Sequence, residues 1–178
     1  MTGKAADDAP PGAGATLGAL GAAAMAVAAF ALVPALAQDK APDHAQDAAW
    51  HNRQQLALAE LHPADGWGTL EGGVRIRRVK GDGSGPHPSV ADTVTVHYAG
   101  TLVDGTTFDS SWDRGEPATF PLGRLVKAWQ LAIPQMGVGD TIEIVVPADL
   151  GYGPKGKGPI PGNATLKFTI ELLDIESR

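Results

Sequence analysis

Five aromatic side chains and one carboxylate lie near the ends of predicted elements, where a binding site could form. The aromatic residues are Tyr98, Phe108, Trp129, Tyr152 and Phe168. Any one of them alone is typical of a hydrophobic core. Asp109, directly after Phe108, is an acid where the buried face of a strand should continue. Together these residues predict an aromatic cup for an uncharged, apolar ligand.

Other kinds of site find little support in the sequence. The chain has no cysteine, which excludes disulfides, zinc-thiolate sites and cysteine nucleophiles. Its five histidines share no ligand spacing, so no metal site is predicted. The glycine run at 81–85 is not followed by the Gly-Lys-Ser/Thr of a phosphate-binding loop, which favours a turn. A net charge of −6 also argues against nucleic acid as a partner.

The hairpin that would carry Asp109 is clear in the sequence. Val94, Val96 and Tyr98 alternate with polar residues, as in a strand with one buried face. Asp104-Gly105 is a hairpin turn signal, and residues 106–108 begin the return strand.

The remaining patterns predict one helix and several strands. Helical spacing runs over Arg124–Met136, where Leu125, Trp129, Ala132, Ile133 and Met136 share a face. Further strands are predicted at residues 74–77, 118–122, 141–147 and 165–175. Because no strand–helix–strand alternation occurs, we expect an α+β domain: an antiparallel half-barrel sheet of five or six strands, wrapped around one amphipathic helix.

The first 37 residues predict a segment that directs the chain to export. Residues 12–37 carry no charge and are long enough to cross a bilayer as a helix. They end in Ala35-Leu36-Ala37, a small-x-small pattern that a signal peptidase could cleave. A membrane anchor and a cleaved signal peptide remain alternatives, and both place the following residues outside the cytoplasm, with membrane contact through 12–37 if the segment is retained. Residues 38–68 are expected to be a linker, with a packing or dimerising helix near 45–61 or a solvated tether as alternatives.

The domain expected at residues 69–178 resembles the FKBP-type peptidyl-prolyl cis-trans isomerases, in particular the exported bacterial branch. The motifs that carry this resemblance are VTVHYAGTLVDGTTFDSSWDRGEPATFPLG, VKAW, QMGVGD, GYG and IPGNATLKFTIELL, in the order of the family. The resemblance implies rotation about X–Pro peptide bonds without a cofactor or a covalent intermediate. It also implies proline-containing unfolded or nascent polypeptides as substrates, and a macrolide as a possible ligand.

The resemblance assigns a role to each candidate residue. Trp129 would form the floor under the proline ring, and the walls would be Tyr98, Phe108, Phe168, Leu125, Val126 and Ile160. The Tyr152 hydroxyl and the Val126 N–H would donate hydrogen bonds to the substrate. Asp109 would form the polar side of the pocket, paired with Arg114.

Several alternatives stay open at this point. Asp109 could cap a loop or pair with Arg114, or it could contact the substrate directly. Ala118 stands where many family members have a bulky aromatic residue, which predicts a more open wall. The rival to an isomerase that assists folding of exported proteins is a proline-recognising binding module or holdase chaperone with weak turnover.

Overall fold

A computed structural model describes residues 43–44 and 47–176. The predicted N-terminal signal or anchor at 1–37 lies outside the described residues. Over the part of the chain that is described, no helix combines the length and the apolar character needed to cross a membrane.

The α-helices are α1 (Ala48–Ala59), α2 (Ser111–Arg114) and α3 (Lys127–Ala132). The strands are β1 (Gly68–Thr69), β2 (Arg75–Lys80), β3 (Thr93–Leu102), β4 (Thr107–Ser110), β5 (Ala118–Pro121), β6 (Thr141–Val146) and β7 (Leu166–Glu176).

All seven strands join one antiparallel sheet, which confirms the predicted fold class. The order is β1-β2-β6-β7-β3-β4, and β5 also pairs with β3. The strand count exceeds the expected five or six because β1, only two residues long, extends the sheet beyond β2. The predicted alternation of β3 holds, since Val94 and Val96 are fully buried while Thr93 and Thr95 are half-buried.

The buried face of the sheet packs against α3, whose Trp129 is 4% exposed. The helix is shorter than the predicted Arg124–Met136. Leu125 and Val126 have extended backbone, and a 3₁₀ turn replaces the α-helix from Ile133. The Gln130 side chain donates to the Leu125 carbonyl at 2.7 Å, which satisfies an acceptor that a longer helix would have used. Leu125 and Val126 are therefore free to face a cavity beside the helix.

Helix α1 packs on the domain, so the alternative of a fully solvated tether is wrong for residues 48–59. Asp47 caps its N-terminus by accepting from the Trp50 N–H at 2.9 Å. Trp50 joins the hydrophobic core, and buried Gln54 accepts from the Thr165 N–H at 2.9 Å. Leu56, on the same helix, is 51% exposed.

Candidate active site

A cavity of about 300 Å³ opens between the β3–β4 hairpin, α3 and the loop that joins β6 to β7. It is lined by Tyr98, Phe108, Asp109, Phe120, Arg124, Leu125, Val126, Trp129, Tyr152, Lys157 and Phe168. The structure thus brings together the five aromatic residues and Asp109 of the predicted cup, although they are spread over some 70 positions of the sequence.

Edge-to-face aromatic contacts fix the floor and one wall of this cavity. The Trp129 ring lies 5.3 Å from Tyr98 and 5.4 Å from Phe168, with interplanar angles of 81° and 88°. Phe168 in turn meets Phe108 at 5.6 Å and 87°. Such perpendicular pairs are favourable for aromatic rings and resist sliding. The cavity is therefore a pre-formed apolar surface.

Gly100 allows two of these rings to lie over the backbone of β3. A Cβ atom at this position would fall 2.6 Å from Phe108 Cε2 and 2.8 Å from Phe168 Cε1, closer than such atoms approach in proteins. Gly100 was not among the predicted site residues. The signal was present, because a glycine inside a strand often marks a close approach by another group.

Asp109 forms one polar cluster with Tyr98 and Arg114. Its Oδ2 accepts from the Tyr98 hydroxyl at 2.5 Å, and its Oδ1 accepts from the Arg114 guanidinium. Arg114 also donates to the Tyr98 hydroxyl at 3.1 Å. Burial of Tyr98, together with its hydrogen bond to Asp109, raises its pKa to about 12. The expected pairing with Arg114 is present, and Asp109 also lines the cavity, so it remains open to contact with a ligand.

The one-turn helix α2 positions Arg114 for this cluster. Its cap, Ser110, accepts from the Asp113 N–H at 3.1 Å, and Gly115 ends the turn with a left-handed φ of 77°. The turn brings the end of α2 back toward β4, so that Arg114 reaches the carboxylate five residues earlier in the chain.

Besides the charged side chains, three donors at the cavity have no hydrogen-bond partner within the described residues. One of them is the buried indole N–H of Trp129. The Tyr152 hydroxyl takes part in no hydrogen bond there, and the Val126 N–H donates none. Burial, followed by the Asp109 charge, raises the pKa of Tyr152, which keeps its hydroxyl protonated and able to donate near neutral pH. The Tyr152 hydroxyl and the Val126 N–H are therefore available to donate to a ligand carbonyl.

Two residues of the predicted pocket, Arg114 and Ile160, do not line the cavity. Arg114 lies behind Asp109 and acts on the site through that carboxylate. Ile160, predicted as a wall, is 3% exposed and belongs to the hydrophobic core. Its backbone pairs with that of Lys157, so it holds the loop that edges the cavity.

Three lining residues were absent from the predicted site: Phe120, Arg124 and Lys157. The expectation of a more open wall at Ala118 does not describe this cavity, because Ala118 does not line it. Phe120, two residues further along β5, does, with its ring 6.1 Å from that of Tyr98. Across the described part of the chain, no group of three or more His, Cys, Asp or Glu side chains is placed to hold a metal ion.

Comparison with known proteins identifies the family of this chain. Residues 85–173 match the model of the FKBP-type peptidyl-prolyl cis-trans isomerases. The chain is 47% identical over 119 residues to the FKBP-type peptidyl-prolyl cis-trans isomerase FkpA of Aeromonas hydrophila, covering 67% of this chain but only 44% of that protein. It is 46% identical over 110 residues to FK506-binding protein 1 of Kluyveromyces lactis, covering 60% of this chain and 96% of the relative.

A solved structure gives the same result. The crystal structure of FkpA from Escherichia coli matches with a TM-score of 0.68 and 36% sequence identity, over 72% of this chain and 60% of that one. Sequence and fold therefore agree on the predicted family and on the class of enzyme that it comprises. The chain belongs to the family of FKBP-type peptidyl-prolyl cis-trans isomerases.

Proposed function

We propose that the chain accelerates rotation about X–Pro peptide bonds in the aromatic cavity, and that it does so for exported polypeptides. The observation that carries the proposal is an apolar cavity of about 300 Å³ at which the Tyr152 hydroxyl and the Val126 N–H are available as hydrogen-bond donors. A proline ring is apolar, and the amide beside it offers carbonyl acceptors. The cavity therefore complements both parts of an X–Pro segment.

The physics of the reaction suits such a site. Resonance across the C–N bond sets a barrier of about 18–20 kcal/mol, and the twisted transition state has lost that resonance and its charge separation. Water favours the planar amide, which has the larger charge separation. A cavity walled by Trp129, Phe108 and Phe168 favours it less, so the free-energy difference between the planar and the twisted amide is smaller in the cavity than in water. The barrier falls because binding is stronger in the transition state than in the ground state.

Two groups would hold the substrate while it turns. The Tyr152 hydroxyl and the Val126 N–H each donate to a backbone carbonyl, which fixes one side of the bond while the other rotates. Asp109 keeps Tyr98 and Arg114 in place and gives the cavity its polar edge. In this mechanism no side chain moves a proton.

The proposed substrates are unfolded or newly exported chains that contain proline. The charge-free stretch at 12–37 supports this, because either a retained anchor or a cleaved signal peptide would place the domain in the periplasm. Mass spectrometry of the N-terminus of the protein from its native host tests the location. A start at Gln38 means release, and an intact leader means an anchor. Fractionation of an intact chain with the cytoplasmic proteins would refute export.

A macrolide is a proposed second ligand of the same cavity. The Kluyveromyces lactis relative bears the name FK506-binding protein, and the residues that line the cavity here are mostly apolar. If FK506 binds in this cavity, it should compete with a proline peptide for the protein. Simultaneous binding of both would show that the macrolide site lies elsewhere.

Refolding of a model protein with a slow, proline-limited phase tests the proposed function. The full chain should accelerate that phase in proportion to its concentration, because each cavity catalyses the isomerisation. A holdase would instead suppress aggregation and leave the slow phase unchanged. That second pattern would refute the isomerase and favour the binding-module alternative.

A further inference from the structure

Two cationic side chains stand at the mouth of the cavity. Arg124 comes from the turn before α3, and Lys157 comes from the loop between β6 and β7. Both are exposed, and among the ion pairs of the described residues neither has a carboxylate partner. Unpaired cations beside a proposed substrate site are available to an anionic group of the substrate.

The one carboxylate that lines the cavity does not cancel these charges. Asp109 is already bound to Arg114 and to the Tyr98 hydroxyl. The flanking segments add Lys127 and Lys155, and neither 122–135 nor 151–163 contains an acidic residue. On a chain with a net charge of −6, the residues that line the cavity therefore carry two cations, Arg124 and Lys157, and one carboxylate, Asp109.

The backbone around Lys157 is held in place. The Lys157 N–H donates to the Ile160 carbonyl at 3.0 Å, and the Ile160 N–H returns the bond at 3.0 Å. Ile160 is buried, which anchors this pair to the core. The Lys157 ammonium lies 5.8 Å from the centre of the Tyr152 ring, close enough for a cation–π attraction. The charge thus stays beside the ring of Tyr152, whose hydroxyl is proposed to bind the substrate.

We propose that Arg124 and Lys157 select substrates with an acidic side chain next to the proline. This inference rests on the proposed function of the cavity. When the proline ring occupies the cavity, the side chains of its neighbours cross the mouth. A carboxylate there is attracted by two cations, and a substrate lysine or arginine is repelled, so the charges act on specificity.

Peptides that differ at one position test the inference. The full chain is assayed with three peptides that carry Glu, Gln or Lys immediately before proline, and with a second set that carries them immediately after it. On one of the two sides, we expect kcat/KM to be about fivefold higher for Glu than for Gln, and lower still for Lys. The Glu-to-Gln ratio of kcat/KM should fall toward one at high salt. A Glu-to-Gln ratio near one on both sides would overturn the inference.

Substitutions assign the preference to particular side chains. Arg124→Gln and Lys157→Gln should each lower the Glu-to-Gln ratio, and the double variant should bring it close to one. The ratio is taken within each variant, so any general loss of activity cancels. Lys155→Gln is the matched control, because it removes the same charge from the same loop at a position that does not line the cavity. An equal loss of preference in that control would show a general charge effect and refute the assignment.

A binding measurement separates this inference from the proposed function. NMR titration of the full chain, followed at the Trp129 indole N–H, gives the ratio of Kd values for the Glu and Gln peptides without any turnover. If no peptide is isomerised faster, the proposed function fails, while a Kd ratio of about five still supports charge selection. If turnover is normal and both ratios are near one, only the charge selection is overturned.

Discussion

Tyr98 and Tyr152 are the only tyrosines of the chain, and the structure gives their hydroxyls opposite environments. Both rings line the cavity. The Tyr98 hydroxyl donates to Asp109 and accepts from Arg114. The Tyr152 hydroxyl has no such partner among the described residues. One hydroxyl therefore maintains the site, and the other is available to the substrate.

Removal of each hydroxyl should have a different consequence. Tyr152→Phe should lower kcat/KM about five- to tenfold by removing one substrate hydrogen bond, with the free energy of unfolding within about 0.5 kcal/mol of wild type. Tyr98→Phe should cost about 1–2 kcal/mol of stability, because Asp109 and Arg114 lose a partner. Peptide kinetics and urea unfolding on both variants check this. A stability loss confined to Tyr152→Phe would contradict it.

The raised pKa of Tyr98 also predicts how stability depends on pH. Its pKa is 10.0 in an ordinary environment and about 12 in the folded protein, so the unfolded chain loses the proton first as pH rises. This contribution to stability is complete below pH 10 and is lost between pH 10 and about 12. Between pH 9 and 11, the free energy of unfolding should fall more steeply for wild type than for Tyr98→Phe. Equal slopes would contradict the prediction.

Among the elements, strand β3 shapes the cavity through a residue that has no side chain. Gly100→Ala should force Phe108 and Phe168 apart, lower stability by about 1–3 kcal/mol and reduce kcat/KM. Gly68→Ala is the matched control, because the added methyl in β1 would meet Ile76 Cγ2 at an ordinary 3.5 Å. Unfolding curves and peptide kinetics measure both effects. Equal behaviour of the two variants would show that ring clearance at Gly100 does not matter.

Helix α1 is fastened to the domain by a buried polar contact. Gln54→Ala should leave the buried Thr165 N–H without its acceptor, at a cost of about 1–3 kcal/mol of stability. Gln55→Ala, at the exposed neighbouring position of the same helix, should change stability by less than about 0.5 kcal/mol. Urea unfolding of both variants checks this. If both substitutions changed the free energy of unfolding equally, α1 would contribute to stability only through its helical propensity.

The elements also show what the sequence could and could not predict. Alternation of apolar and polar residues reports local burial, so β3 was predicted with its buried face correct and β7 with nearly its full length. The predicted helix was too long because Leu125 shares the helical spacing, although the backbone of Leu125 and Val126 is extended. The Gln130 hydrogen bond that favours the extended backbone is not visible in a periodic pattern. Lys157 and Phe120 reach the cavity from a loop and a short strand, whose positions depend on tertiary contacts.

The molecule as a whole is an acidic chain with two cationic side chains, Arg124 and Lys157, at the mouth of an apolar cavity. Its N-terminal segment predicts export, and α1 joins the domain closely enough for Trp50 to share the core. Functional measurements should therefore retain α1. The chain's proposed activity depends most on the cavity above Trp129 as the place where X–Pro rotation is accelerated.

Exchange NMR on an Ala–Pro peptide tests that claim most directly, with wild type, Trp129→Leu and Trp112→Leu as full chains. Trp112 is 40% exposed and does not line the cavity, so it is the matched control for loss of an indole ring. We expect wild type and Trp112→Leu to accelerate cis–trans exchange similarly, and Trp129→Leu to lose at least about tenfold in kcat/KM. No acceleration by wild type, or equal activity in Trp129→Leu, would contradict the account.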